Sequence, residues 1–280
     1  MSNNINNKNL RLFKTTLTSL LLTPAFASGT ILFSEDFDST NGAIRSLDGV
    51  AEDTAGAIWD ANGFATANGV FQVGQLEGSA LLPFSPTIGE VYRLTLDVTS
   101  ASAEWIGLGF SRLGTVVNAN NNPNSRFSNN NRGIAWAIYR PEEMTTVDAG
   151  NPLGANDQIQ IFGGQGTNNP IGDNNTDFSN SGTAVTRTLE LILDTTNNSA
   201  TGGSLLNVLV DGASVSDGFQ DIGNNASAIS GVGFTWEGPT TNNGTGTPIT
   251  VDNFQLEVIP EPSAALLGGF GLLALMRRRR

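Results

Sequence analysis

Apolar residues recur at every second position along several short stretches of this chain. Tyr92, Leu94, Leu96 and Val98 alternate with Arg93, Thr95 and Asp97. In an extended strand the first set lies on one face and the second on the other. Leu189, Leu191 and Leu193 alternate in the same way with Thr188, Glu190 and Ile192. Leu206, Val208 and Val210 alternate with Asn207, Leu209 and Asp211, and Phe254, Leu256 and Val258 with Asn253, Gln255 and Glu257. Further strands are predicted over 31–37, 68–73, 79–83, 104–111, 133–139, 157–162, 230–236 and 248–258. Asn62-Gly63, Asn68-Gly69 and Asp211-Gly212 supply turns between them. Helical periodicity is scarce. Roughly 230 residues carry this pattern, enough for one large core. It predicts an all-β fold, an antiparallel β-sandwich over residues 28–258.

The four tryptophans divide under this pattern. Trp136 among Ile134 and Ile138, and Trp236 among Val232 and Phe234, read as core. Trp59 lies in a segment without clear periodicity. Trp105 differs, because Ile106, Leu108 and Phe110 form the apolar face of its strand while Trp105 shares the other face with Gly107 and Gly109. A tryptophan beside two glycines leaves a shelf free of side chains, open to a ligand or to a covering loop. Tyr139 and Arg140, at the end of the next predicted strand, are placed to flank that shelf, so Trp105, Tyr139 and Arg140 are the candidate ligand-binding residues. Two connections, 114–131 and 163–184, exceed the length a hairpin needs and are rich in Gly, Asn and Asp.

The two ends break the pattern. Residues 1–27 hold Lys8, Arg11 and Lys14 and no acid, then Leu17, Leu20, Leu21 and Leu22, then Pro24-Ala25-Phe26-Ala27. A basic start, a short apolar stretch and an A-x-A site predict a secretory signal peptide cleaved between Ala27 and Ser28. At the other end, Ala264 to Met276 is uncharged and Arg277, Arg278, Arg279 and Arg280 close the chain. This predicts a single transmembrane helix whose arginines stay in the cytoplasm and whose body lies outside. Thirteen apolar residues rise only about 20 Å, against a hydrocarbon core of about 30 Å, so snorkelling and local thinning are needed to close the gap. Gly268, Gly269 and Gly271 would let another helix approach closely.

Composition sharpens this division. The net charge is −12, yet Ser28 to Ile259 holds 25 Asp and Glu against seven Arg and no Lys. A body so acidic repels nucleic acid and anionic lipid. The chain has no cysteine and no histidine, which excludes disulfides, thiolate nucleophiles, the Ser-His-Asp triad and imidazole metal ligands. Oxygen ligands and aromatic faces remain as the tools of the body. A bound metal is then expected to be a hard cation such as calcium.

The segment Val258-Ile259-Pro260-Glu261-Pro262-Ser263, with the apolar run and the arginines behind it, resembles the PEP-CTERM sorting tail of Gram-negative bacteria. The match spans 259–280. The resemblance implies insertion through the secretion translocon, recognition by a membrane-embedded exosortase, cleavage near Pro260-Glu261-Pro262, and delivery to the cell surface or extracellular matrix. Such proteins often accompany exopolysaccharide production. A plain anchor that is never cut is the alternative. Within the body, Thr188 to Asp194 followed by Leu205 to Gly212 resembles the late hairpin of concanavalin-like, laminin-G-type jelly rolls, as do Phe33 to Phe37 and Val251 to Phe254 the first and last strands of such folds. That resemblance implies a jelly-roll sandwich.

Three kinds of chemistry are open to such a body. Glycoside hydrolysis needs two facing carboxylates. The Glu-x-Asp-x-x-Glu strand pattern of laminarinase-type members is absent, and Glu142-Glu143 are adjacent and diverge, so the body is expected not to be an enzyme. Calcium has two candidate sites. One is Asp173, Asn175 and Asp177, oxygen ligands at alternate positions as at the start of an EF-hand-type loop, though Phe178 stands where the turn glycine would be. The other pairs Glu35 or Asp36, near the end of the first strand, with Asp252 on the last, provided those strands are neighbours. Solvated loop acids are the alternative for both. The third chemistry is polysaccharide binding, by aromatic platforms beside hydrogen-bonding side chains. The sequence therefore predicts an exported surface protein that binds polysaccharide without catalysis. A structural matrix component without a small ligand, and a carboxylate glycosidase, are its alternatives.

Overall fold

The computed structural model describes residues 29–37, 47–62, 65–67, 71–73, 78–100, 105–113, 127, 133–140, 159–163, 171–173, 183–196, 203–215, 218–236 and 249–260. In chain order the first strands are β1 (Thr30–Glu35), β2 (Asp60–Asn62), β3 (Ala65–Ala67), β4 (Phe71–Val73), β5 (Gly78–Pro83), β6 (Val91–Ser100), β7 (Ile106–Ser111) and β8 (Gly133–Tyr139). The later ones are β9 (Ile159–Gly163), β10 (Gly172–Asp173), β11 (Val185–Asp194), β12 (Ser204–Val210), β13 (Ala213–Ser214), β14 (Gln220–Gly223), β15 (Gly231–Trp236) and β16 (Thr250–Ile259). One sheet has nine strands in the order β13-β12-β11-β6-β16-β4-β3, with β1 also on β16 and β14 on β12. The other has seven, β10-β9-β8-β7-β15-β5-β2. Every pairing is antiparallel.

The predicted alternation builds the space between the sheets. Tyr92, Leu94, Leu96 and Val98 of β6 are buried, and Arg93, Thr95 and Asp97 are not. Leu189, Leu191 and Leu193 of β11 and Leu206, Val208 and Val210 of β12 join them in one cluster. The seven-stranded sheet answers with Ile106, Leu108, Phe110, Val232, Phe234 and Trp236. Burying each such side chain contributes about 1.5–3 kcal/mol. β6 pairs with β11 in unbroken register, from Val185 opposite Ser100 to Asp194 opposite Val91.

β16 carries a bulge between Asp252 and Gln255. There Asn253 has φ +51°. Asp252 pairs with Asp97, and regular pairing resumes only at Gln255 and Thr95. The bulge lets Phe254 turn inward, where its ring meets those of Trp59 at 5.1 Å and Phe234 at 6.2 Å. β1 runs beside β16, with Glu35 opposite Phe254, so the first and last strands are neighbours as expected.

Of the predicted strand 68–73, Phe71–Val73 form β4, paired with β3 at the edge of the nine-stranded sheet, and 68–70 lie outside the described residues. One strand reading is corrected. Trp136 is buried, but not with Ile134. β8 slips its register against β7 between Ala135 and Gly133, so Ile134 and Ala135 both face the main core. Trp136 and Ile138 turn to the opposite side and form a second cluster with Leu81, Phe127 and Phe162. The signal segment, including Ala25, Ala27 and Ser28, lies outside the described residues, as do Glu261, Pro262, Ser263 and Arg277 to Arg280. Pro260 follows β16 directly and is exposed. Among the described residues no helix is long and apolar enough to cross a membrane.

Candidate functional site

The outward side chains of three adjacent strands form an open groove of about 460 Å³ on the nine-stranded sheet. β6 contributes Arg93, Thr95 and Asp97, β11 contributes Thr188 and Glu190, and β16 contributes Asn253, Gln255 and Glu257. Backbone register sets these in cross-strand rows. Glu190, Thr95 and Gln255 make one row, and Thr188 and Asp97 begin the next. Arg93 and Glu257, directly opposite each other, form an ion pair. Asp97 accepts from the Thr188 hydroxyl at 2.6 Å and from the Asn253 amide at 2.9 Å. The bulge in β16 is what brings Asn253 within reach of Asp97. The groove thus presents three carboxylates and one guanidinium among hydroxyls and amides, and no aromatic ring lines it among the described residues.

The shelf beside Trp105 is filled from within. A side chain on Gly107 would meet the Trp136 ring at 3.3 Å, and one on Gly109 would collide with the Trp136 Cβ. Gly107 therefore makes room for the Thr235 methyl and the Trp136 indole, and Gly109 for the backbone and Cβ of β8; the indole stacks on Phe162 at 4.4 Å and 17°. Trp105 is half-buried and packs on this cluster. Arg140 donates to the side-chain amide oxygen of Gln160 at 2.6 Å. Tyr139 is 1% exposed and points into the inter-sheet core, so it does not flank Trp105. Side chains alternate along β8, and the alternation that sends Ile138 outward sends Tyr139 in.

A third group of acids lies where β1 ends. Carboxylate oxygens of Glu35, Asp36 and Asp53 come within 4.8 Å of one another. Glu35 is buried and accepts from the Phe37 N–H at 2.9 Å and the Trp59 indole N–H at 3.3 Å. The Asp36 N–H donates to Asp53 at 3.1 Å. Burial, then the Asp53 charge, pushes the Glu35 carboxyl from 4.5 to about 7, against the two hydrogen bonds, which favour the ionised form. The adjoining loop is shaped by Glu52, whose carboxylate accepts from the backbone N–H groups of Ser34, Thr54, Ala55 and Ala57. Burial raises the Glu52 pKa, and these bonds outweigh it, leaving the group below its ordinary value.

The trio contains both first-strand acids of the expected site, Glu35 and Asp36, and adds Asp53. The Asp252 carboxylate accepts from the Asn253 N–H at 2.7 Å, inside the bulge. Asp53 escaped the sequence reading because it arrives from a loop with no periodicity. Of the other calcium candidate, Asp173 ends β10 opposite Gln160, while Asn175 and Asp177 lie outside the described residues, as do Glu142 and Glu143.

No protein-family model and no curated protein matches the chain. Solved structures do. A mutant form of the Emp46p carbohydrate recognition domain aligns with TM-score 0.50 at 13% identity over 75% of this chain and 94% of that one. The metal-free form of the same domain aligns with TM-score 0.50 at 12% identity, over the same shares. A mutant of the alginate lyase Aly36B, in complex with alginate trisaccharide, aligns with TM-score 0.46 at 13% identity over 83% of this chain and 100% of that one. At such identities what is shared is the fold. The body is a β-sandwich of the jelly-roll kind, laid out like the Emp46p domain.

Proposed function

We propose that this is an exported, cell-surface or exopolysaccharide-associated protein whose β-sandwich binds polysaccharide without cleaving it. The observation that carries the binding reading is the groove across β11, β6 and β16. Its hydroxyls, amides and carboxylates stand on rigid, paired strands, and such a donor and acceptor array suits a hydroxyl-rich ligand. The Emp46p likeness adds a fold-level analogy. The non-catalytic reading is supported by how two of the three groove acids are occupied. Asp97 is held by two neutral donors and Glu257 by Arg93, so that Glu190 alone is unengaged among the described residues, whereas glycoside cleavage needs a protonated acid facing a second carboxylate. Titration of the full chain with soluble polysaccharides tests this. Binding should weaken at least about tenfold when Thr95→Ala and Gln255→Ala are combined, since two hydrogen bonds of about 1 kcal/mol each are lost. Unchanged affinity in that variant would remove the groove from the function.

A matrix component without a small ligand is the second reading. It is favoured by the burial of Trp59, Trp136 and Trp236, which leaves only Trp105 in partial contact with solvent. Sorting through the PEP-CTERM tail belongs to the same proposal as the exported location. Mass spectrometry of the protein recovered outside the cell should find a C-terminus near Pro260-Glu261-Pro262. An intact end carrying Arg277 to Arg280 overturns processing by an exosortase.

Structural calcium is proposed at Glu35, Asp36 and Asp53. Oxygens bound to one calcium at 2.3–2.6 Å lie at most about 5 Å apart, a condition the trio meets. Calcium would supply there a positive charge shared by three clustered acids. Without it the Glu35 proton is held more tightly in the folded state than in the unfolded one, about 7 against 4.5. This part of the stability is present below 4.5 and is lost as pH rises to about 7. In chelator the melting midpoint should fall across that window, and Glu35→Gln should flatten the fall. Calcium should restore the midpoint at a pH just above the window. A midpoint indifferent to calcium at that pH discards the site.

A further inference from the structure

The charges in the groove do not balance, and the imbalance points to a ligand. Its one guanidinium, Arg93, is taken up by Glu257. Asp97 receives only neutral donors, from Thr188 and Asn253. Glu190 forms no side-chain hydrogen bond or ion pair among the described residues. It sits opposite Thr95, with Thr95 in turn opposite Gln255. Two carboxylates without a countercharge therefore open onto the same groove, on strands β6 and β11. They stand on the diagonal of the ladder, about 7–8 Å apart between backbones. The surrounding body supplies little relief, with no lysine between Ser28 and Ile259.

We propose that the groove takes a polysaccharide whose sugars carry protonated amines, with Glu190 as the counter-ion of an amine. This deepens the polysaccharide-binding reading and rests on it. Thr95, beside Glu190, and Gln255, one strand further on, offer a hydroxyl and an amide to the ring hydroxyls of the bound sugars. Asp97, already oriented by Thr188 and Asn253, faces the next amine along the chain. A uronic acid polymer would bring its carboxylates against Asp97 and Glu190, and like charges in such a site discriminate against it. A neutral polymer would fill the same hydrogen bonds and leave both charges uncompensated. A charge-assisted hydrogen bond is roughly twice as strong as a neutral one, which sets the order amine, then neutral, then uronate.

The experiment is calorimetric titration of the full chain in mildly acidic buffer with hexasaccharides of four kinds: glucosamine, N-acetylglucosamine, glucose and mannuronate. The glucosamine hexamer is expected to bind about tenfold more tightly than its N-acetylated form. Glu190→Gln should lower that preference, leaving Asp97 alone to favour an amine, while the N-acetylated and glucose hexamers stay within about twofold. Asp221→Asn, an equal charge change at an exposed position of β14 outside the groove, should leave the preference intact. Three results overturn the proposal. Equal affinity for the free-amine and acetylated hexamers removes the amine while polysaccharide binding stands. Equal weakening by Glu190→Gln and Asp221→Asn shows attraction to the acidic body as a whole. Binding of none of the four removes the polysaccharide reading with it.

Discussion

The two sheets of this sandwich treat their outer faces in opposite ways. On the nine-stranded sheet the outward residues of β6, β11 and β16 that line the open groove are charged, hydroxylic or amide. On the seven-stranded sheet β7, β8, β9 and β15 are buried along their whole length, and the outer side carries a second apolar cluster around Trp136. A strand buried on one side alternates, and a strand buried on both reads as a nearly continuous apolar run. The difference separates what each face is for. The Trp136 face commits its side chains to cohesion, and the groove face leaves its polar groups available.

The largest effect expected from this contrast is at Trp136. Replacing it with alanine removes the ring that stacks on Phe162, tilts against Phe127 and lies over Gly107. The loss should be about 3–5 kcal/mol, as for other large-to-small changes in a packed core. Urea unfolding of the full chain measures it. A loss under about 1 kcal/mol would mean that the outer cluster is a surface patch and not a second core.

The next effect comes from the opposite change on the same face. Gly109→Ala drives a Cβ into the Trp136 Cα and Cβ and the Ala135 carbonyl oxygen. None of these is the far end of a flexible side chain, so β8 itself must shift. Overpacking of this kind costs about 1–3 kcal/mol. Combining Gly109→Ala with Trp136→Ala should not relieve that clash, because alanine keeps the Cα and Cβ that the new methyl meets, so the two losses should come close to adding. A double variant markedly more stable than the sum would show that Gly109 is small to admit the indole itself.

The same contrast explains what could be read from the chain alone. The inward set of β6, β11, β12 and β16 was legible because one face of each strand is wet, and burial on a single face imposes period two. The outward polar set was legible residue by residue for the same reason. Its assembly was not, because the order β11-β6-β16 joins segments about 90 and 160 residues apart, and no local signal encodes that. Trp136 was misplaced for a different reason. Ile134, Trp136 and Ile138 look like one face until a register slip inserts an extra residue, and a strand apolar on both sides gives no polar position against which to see the slip. Gly107 and Gly109 were recognised as a shelf, but their occupant stands on the neighbouring strand. Asp53 joins Glu35 and Asp36 through a loop ordered by Glu52, a contact that no spacing rule anticipates.

The smallest effect belongs to the groove, and its smallness is what completes the contrast. Thr95→Ala removes a half-buried hydroxyl that lies between Glu190 and Gln255. No cavity forms, because the groove is open to water, and the inward neighbours Leu94 and Leu96 keep their packing. Surface changes away from special features usually stay within about 0.5 kcal/mol, and Thr95→Ala should stay there in the same urea titration that registers Trp136→Ala. A loss above about 1 kcal/mol would place Thr95 in the structural framework of β6. The groove would then be a by-product of strand pairing, and the two outer faces would differ in polarity without differing in purpose.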